Sequence, residues 1–156
     1  MLDTFRGLPV HVLLLHATVV LVPLTCVATI AVAVWPRVRA LGAWPVVALN
    51  VVMVAMVWLT EQAGKRLQAR LGGATNPDIA HHASLGLTMI WFALAMLVTS
   101  VVVAVLRTRR GGAVRVGTGA LALVVGLATL VWIVRVGESG ATAVWKGVIA
   151  NTTAGG

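Results

Sequence analysis

Four stretches of this chain are long and apolar enough to cross a lipid bilayer, and this feature constrains the fold more than any other. The hydrocarbon core of a membrane takes about 20 helical residues, and the four stretches cover residues 11–35, 42–60, 82–106 and 116–134. Apolar residues make up 60% of the chain and charged residues only 10%, which is too little polar surface for a water-soluble domain. The sequence therefore predicts an all-α fold, an integral membrane bundle of four transmembrane helices in one domain, 1–156.

Basic residues in the short connections between spans indicate how the bundle is oriented. Six arginines lie in the connections after the first and third spans: Arg37, Arg39, Arg107, Arg109, Arg110 and Arg115. Short loops rich in arginine stay in the cytoplasm. We therefore expect both termini, the connection 61–80 and the tail 135–156 on the outer side of a bacterial plasma membrane. The net charge of +8 serves this topology, and no nucleic-acid-binding motif is present.

The connection 61–80 contains strong helix-ending signals. Residues 60–71 have the composition of an amphipathic outer helix, and Gly72 and Gly73 follow it. Asn76-Pro77-Asp78 then predicts a turn in which Asp78 caps the third span, which starts near Ile79.

Packing roles are predicted for several residues inside the spans. Ala122 and Gly126 form a pair of small residues one turn apart, which lets another helix approach the fourth span closely. Cys26, the only cysteine, lies deep in the first span and is predicted to fill space there. Trp91 alone among the tryptophans lies well inside a span and is predicted to be a core side chain.

All four histidines lie near one end of the predicted bundle. His11 and His16 belong to the outer half of the first span, and His81 and His82 open the third. Glu61 ends the second span and Glu138 follows the fourth, so every span brings ionisable or polar groups to this outer region. Ionisable residues within membrane spans are costly and are candidates for function.

Helical geometry limits which histidines can point into the bundle. His11 and His16 are five residues apart, which is about 140° around a helix. His81 and His82 are neighbours, about 100° apart. One histidine of each pair is therefore expected to face inward, and we predict His16 and His82 because each lies deeper than its partner.

Several short motifs are similar to those of a known family. They are Gly7-Leu8-Pro9-Val10-His11, Gln62-Ala63-Gly64, His82-Ala83-Ser84-Leu85-Gly86 and the segment from Val136 to Trp145. The chain resembles the small four-span bacterial membrane proteins catalogued as domain of unknown function 2231, in an actinobacterial version. The resemblance implies a four-span fold with a histidine-bearing outer face and names no reaction. Relatives often read Gly-His-Ser-Gly where this chain has Glu138, a residue that suits a hard metal ion or a proton better than haem.

Three classes of function remain open, none with identifiable catalytic residues. The first is a b-type haem or other redox protein whose cofactor lies between the first and third spans. His16 and His82 are its first expected ligands, with His11 and His81 as alternatives. The second is a zinc- or copper-binding protein that uses the same histidines with Glu61 or Glu138. The third is a noncatalytic subunit without a cofactor, in a homo-oligomer or a larger membrane complex. We favour the first.

Overall fold

A computed structural model describes residues 4–5, 7–70, 76–106 and 111–153. The elements in chain order are β1 (Thr4–Phe5), β2 (Leu8–Pro9), α1 (Val10–Val34), α2 (Pro36–Ala40), α3 (Trp44–Arg70), α4 (Pro77–Leu106) and α5 (Gly112–Thr153). The two short strands form an antiparallel pair, and Gly7 between them has a φ of 83°, which favours glycine. The four long helices are each apolar and long enough to cross a membrane, which confirms the predicted all-α fold.

The helix predicted over residues 60–71, at the start of the connection 61–80, is confirmed as far as Arg70, where it forms the last part of α3 without a break after the apolar span. The helix-ending signals at Gly72 and Gly73 lie outside the described residues. Next, α4 begins at Pro77, and the Asp78 amide donates to Oδ1 of Asn76 at 2.9 Å. Asn76 therefore caps this helix instead of Asp78, because proline fits the first helical position and the residue before it supplies the cap.

The long helices form a ring in which α1 and α4 lie diagonally opposite each other. Each of these two packs against both α3 and α5. Hydrogen bonds join the first turns of α1 and α4 to the later parts of α3 and α5. We call this end of the bundle, with residues 10–16, 60–70, 77–85 and 135–146, the histidine end. At the opposite end, Arg39 donates to the carbonyl oxygens of Val32 and Ala33 and so caps the last turn of α1.

The bundle interior is apolar with a few buried hydrogen-bonding side chains. Cys26 is fully buried in the core, which confirms its packing role. The amide of Asn50 donates to the Thr29 hydroxyl at 3.1 Å and ties α3 to α1, a common device between membrane helices. Trp91 is 69% exposed, so the prediction of a core side chain is wrong. Its ring faces the lipid because the buried face of α4 passes through Met89 and Ala93 instead.

A close contact between α1 and α5 follows from the predicted pair of small residues. Ala122 is fully buried. A Cβ atom at Gly126 would lie 2.7 Å from Cδ1 of Ile30, closer than carbon atoms approach without repulsion. Glycine at this position therefore allows the two helices to pack at their present distance, as the sequence predicted.

Candidate functional site at the histidine end

The histidine end contains all four histidines, but only two of them face the inside of the bundle. His11 and His82 are partly buried, whereas His16 and His81 are exposed. The inward prediction is thus right for His82 and wrong for His16, which donates from Nδ1 to the Val12 carbonyl of its own helix at 2.7 Å.

The buried face of α1 explains why His11 points inward. That face runs through Thr18, Val22 and Thr25. His11 lies seven residues before Thr18, which is about two helical turns, so both side chains lie on one face. His16 lies two residues before Thr18, roughly 200° away around the helix. Depth along the helix was therefore the wrong criterion, and rotation about its axis decides.

His11 is held against α3 by a hydrogen bond and by a glycine. Its Nδ1 lies 3.0 Å from the carbonyl oxygen of Thr60. A carbonyl oxygen only accepts, so Nδ1 carries the hydrogen. A Cβ atom at Gly64 would lie 3.0 Å from Cε1 of the imidazole, so the ring lies directly on the α3 backbone. In its neutral form, His11 therefore has its free lone pair on Nε2.

His82 is held against α5 in the same manner. Its Nδ1 lies 3.0 Å from the hydroxyl oxygen of Ser139. That hydroxyl donates its own hydrogen to the Val136 carbonyl at 2.8 Å, so it can only accept from the imidazole. Nδ1 again carries the hydrogen and Nε2 the lone pair. A Cβ atom at Gly140 would lie 3.0 Å from Cε1 of the ring, as at Gly64.

The two histidines occupy equivalent places in two similar helical hairpins, α1–α3 and α4–α5. His82 follows His11 by 71 residues (82 − 11), and Gly140 follows Gly64 by 76 (140 − 64). Adding 71 to the residue numbers of α1 maps six of its seven buried residues, all but Cys26, onto buried residues of α4. These are Met89, Ala93, Met96, Ser100, Val103 and Ala104. Adding 76 to the residue numbers of α3 maps four of its buried residues, Asn50, Met53, Val57 and Thr60, onto buried residues of α5. These are Gly126, Thr129, Ile133 and Val136. The bundle is thus an internal pseudo-repeat with one inward histidine in each half.

The two inward imidazoles lie at the same end of the bundle, one on each of the diagonal helices: His11 on α1 against α3, and His82 on α4 against α5. Further into the bundle, the rings of Phe92 and Trp132 stack with their centroids 5.0 Å apart. The Trp132 Nε1–H donates to the Leu85 carbonyl at 3.1 Å and fixes that ring between α4 and α5.

The carboxylates predicted as metal ligands are not joined to these imidazoles. Glu61 pairs with Lys65 at 2.6 Å on α3. Glu138 is exposed and lines a groove on α5 together with His81. Within residues 4–5, 7–70, 76–106 and 111–153, no group of three or more His, Cys, Asp or Glu side chains is placed to hold a metal ion.

The sequence did not predict the groups that hold the two imidazoles in place. The Thr60 carbonyl, Gly64 and Gly140 were not identified as a site. A signal was present, because Ala63-Gly64 and Ser139-Gly140 are both pairs of small residues just past an apolar span. Comparing the two halves of the chain with each other would have aligned these pairs.

The family model described as "Predicted membrane protein (DUF2231)" matches residues 7–153. The chain belongs to this family. The match covers all four long helices and both inward histidines, and the family's description agrees with the four apolar helices of the bundle. Searches of curated proteins and of solved structures found no significant match.

Proposed function

We propose that this protein is a small redox protein of the bacterial plasma membrane that holds a b-type haem between Nε2 of His11 and Nε2 of His82. In such a site the two imidazoles, one from each of two helices, would hold the haem iron through their Nε2 lone pairs. The bound group supplies one-electron transfer, and the protein supplies binding, orientation and an apolar environment.

One observation carries this proposal: each inward imidazole is held through its Nδ1–H by an adjacent helix, which leaves the lone pair of the neutral ring on Nε2. Each Nδ1–H is bonded to a partner on an adjacent helix, the Thr60 carbonyl or the Ser139 hydroxyl. Metal-binding histidines are held in this manner, with the second nitrogen fixed by a hydrogen bond that sets the tautomer and the ring orientation. Two histidines that only tied helices together would not need the same arrangement in both halves.

The number of available ligands favours haem over a non-haem metal. Protein zinc sites use three or four side chains, whereas a six-coordinate haem needs two. Glu61 is engaged by Lys65, and Glu138 is exposed on α5.

Absorption spectroscopy of the purified full-length protein tests the proposal. The protein is produced with a supply of haem, or is titrated with hemin afterwards, and the Soret and visible bands are recorded in both oxidation states. We expect a low-spin spectrum with one haem per chain. His11→Ala and His82→Ala should each abolish the low-spin bands, because one axial ligand is lost.

The protein supplies matched controls in His16 and His81, which lie at the same end of the bundle but are exposed. His16→Ala and His81→Ala should leave the spectrum unchanged. A low-spin spectrum that survives loss of His11 or His82, or that is lost with His16, contradicts the proposed ligands. Stoichiometric zinc or copper without haem would assign the imidazoles to a non-haem metal instead. Binding of neither group would favour a noncatalytic subunit in which the histidines only join helices.

A further inference from the structure

A groove with a volume of about 360 Å³ lies between α4 and α5 at the histidine end. Asp78, His81 and Leu85 line its α4 side, and Arg135, Glu138 and Ser139 line its α5 side. Ser139 also accepts the hydrogen bond from His82, so the groove shares this one side chain with the support of that imidazole.

Arg135 and Glu138 place two opposite charges in this groove. Arg135 and Glu138 lie three residues apart on α5 and are both exposed. Among the described residues, neither takes part in an ion pair, whereas the neighbouring Asp78 is paired with Lys146 at 3.0 Å. Unpaired charges close to an apolar span are costly. Side chains at this spacing lie on one face of the helix, about one turn apart.

The other half of the bundle shows that packing does not require these charges. The shift of 76 residues that relates α3 to α5 places Leu59 and Gln62 at the positions of Arg135 and Glu138 (135 − 76 and 138 − 76). The α1–α3 hairpin therefore packs in the same register with an apolar and a neutral residue there. These two charges occur at this position only in the second half of the bundle, which indicates a role in binding instead of folding.

The chemistry of the two side chains defines the ligand. A guanidinium forms two parallel hydrogen bonds to a phosphate, and a carboxylate accepts hydrogen bonds from a primary ammonium group. The groove lies where an apolar span gives way to polar residues, with Trp145 on the same helix beyond it, as expected at the level of lipid headgroups. On the α4 side, Leu85 adds apolar surface beside Asp78 and His81.

We infer that this groove binds the headgroup of a phosphatidylethanolamine lipid, with the phosphate on Arg135 and the ammonium on Glu138. A two-carbon bridge joins the two charges of that headgroup, which matches two side chains one helical turn apart. The acyl chains extend along the lipid-facing surfaces of α4 and α5. Binding is independent of whether His82 holds a cofactor.

Binding of short-chain lipids to the purified full-length protein in detergent tests this inference, by native mass spectrometry or calorimetry. We expect dioctanoyl phosphatidylethanolamine to bind more tightly than the matching phosphatidylcholine, whose trimethylammonium cannot donate to Glu138. Phosphatidylglycerol, without an ammonium group, should also bind less tightly. Arg135→Gln and Glu138→Gln should each weaken phosphatidylethanolamine binding by about tenfold, as expected for loss of a charge-assisted hydrogen bond.

Arg66→Gln is the matched control, because Arg66 is an exposed cation at the same end of the bundle but on α3. It should leave lipid binding unchanged, and a thermal unfolding scan of each variant excludes loss of folding as the cause. Equal binding of all three lipids, unaffected by Arg135→Gln, would overturn the inference and indicate nonspecific boundary lipid. If free phosphoethanolamine binds as tightly as the phosphatidylethanolamine, the groove recognises the soluble headgroup and not a lipid, and the inference is wrong. The haem spectrum is measured separately, so failure of either proposal leaves the other standing.

Discussion

The contact between Gly140 and His82 gives the sharpest prediction from this structure. In Gly140→Ala the new Cβ atom would lie 3.0 Å from Cε1 and 3.3 Å from Nδ1 of the imidazole. Gly137→Ala is the matched control, because Gly137 is on the same helix and a Cβ atom there would meet nothing within 4 Å. Both substitutions remove a helical glycine, but only one of them disturbs the histidine.

The expected magnitudes follow from helix propensity and from one hydrogen bond. Replacing glycine by alanine in a helix gains about 1 kcal/mol, and the control should show most of this gain. At Gly140 the ring must move away by a few tenths of an ångström. Its 3.0 Å bond to Ser139 then stretches beyond good geometry, which costs about 0.5–1.5 kcal/mol. We therefore expect Gly140→Ala to be close to neutral and about 1 kcal/mol less stable than Gly137→Ala.

Equilibrium unfolding in mixed detergent micelles measures this difference in the free energy of unfolding. Gly64→Ala should repeat the result at the equivalent site, because a Cβ atom there would lie 3.0 Å from Cε1 and 3.1 Å from Nδ1 of His11. The reasoning is refuted if Gly140→Ala gains as much stability as Gly137→Ala. In that case the imidazole does not lie on the α5 backbone, and the fixed Nε2 on which the proposed function depends is lost with it.

Two further predictions concern the bundle as a whole. Gly126→Ala should destabilise it by about 1–2 kcal/mol through overlap with Ile30. Ile30→Val, which deletes the overlapping Cδ1 atom, should recover part of that loss in a double-mutant cycle; strictly additive effects would contradict the close contact. For topology, a reporter fused at Gly111 should behave as cytoplasmic and one fused after the last residue as extracytoplasmic. The reverse pattern would place the histidine end in the cytoplasm.

The local sequence pattern was enough to predict those features of the fold that depend on hydrophobicity and side-chain size alone. Four long apolar runs predict four helices because only a helix satisfies its own backbone groups in lipid. The pair of small residues at Ala122 and Gly126 predicted a close helix contact for a similar reason, since the absence of a large side chain is visible in the sequence. The clustering of the histidines near one end also follows from where they fall along the spans.

Only the tertiary structure showed which side chains face each other. The sequence could not predict this, because nearly every residue in a membrane span is apolar and the difference in polarity between the inward and the lipid-facing sides of a helix is weak. His16 lies deeper in the span than His11, yet the packing of α1 on α3 turns His16 outward and brings His11 to the Thr60 carbonyl. Trp91 is turned to the lipid for the same reason. Each imidazole lies against a glycine of the next helix. The sequence separation is 53 positions (64 − 11) between His11 and Gly64, and 58 positions (140 − 82) between His82 and Gly140. The linear order contains these residues, but only the rotation of each helix about its own axis places them together.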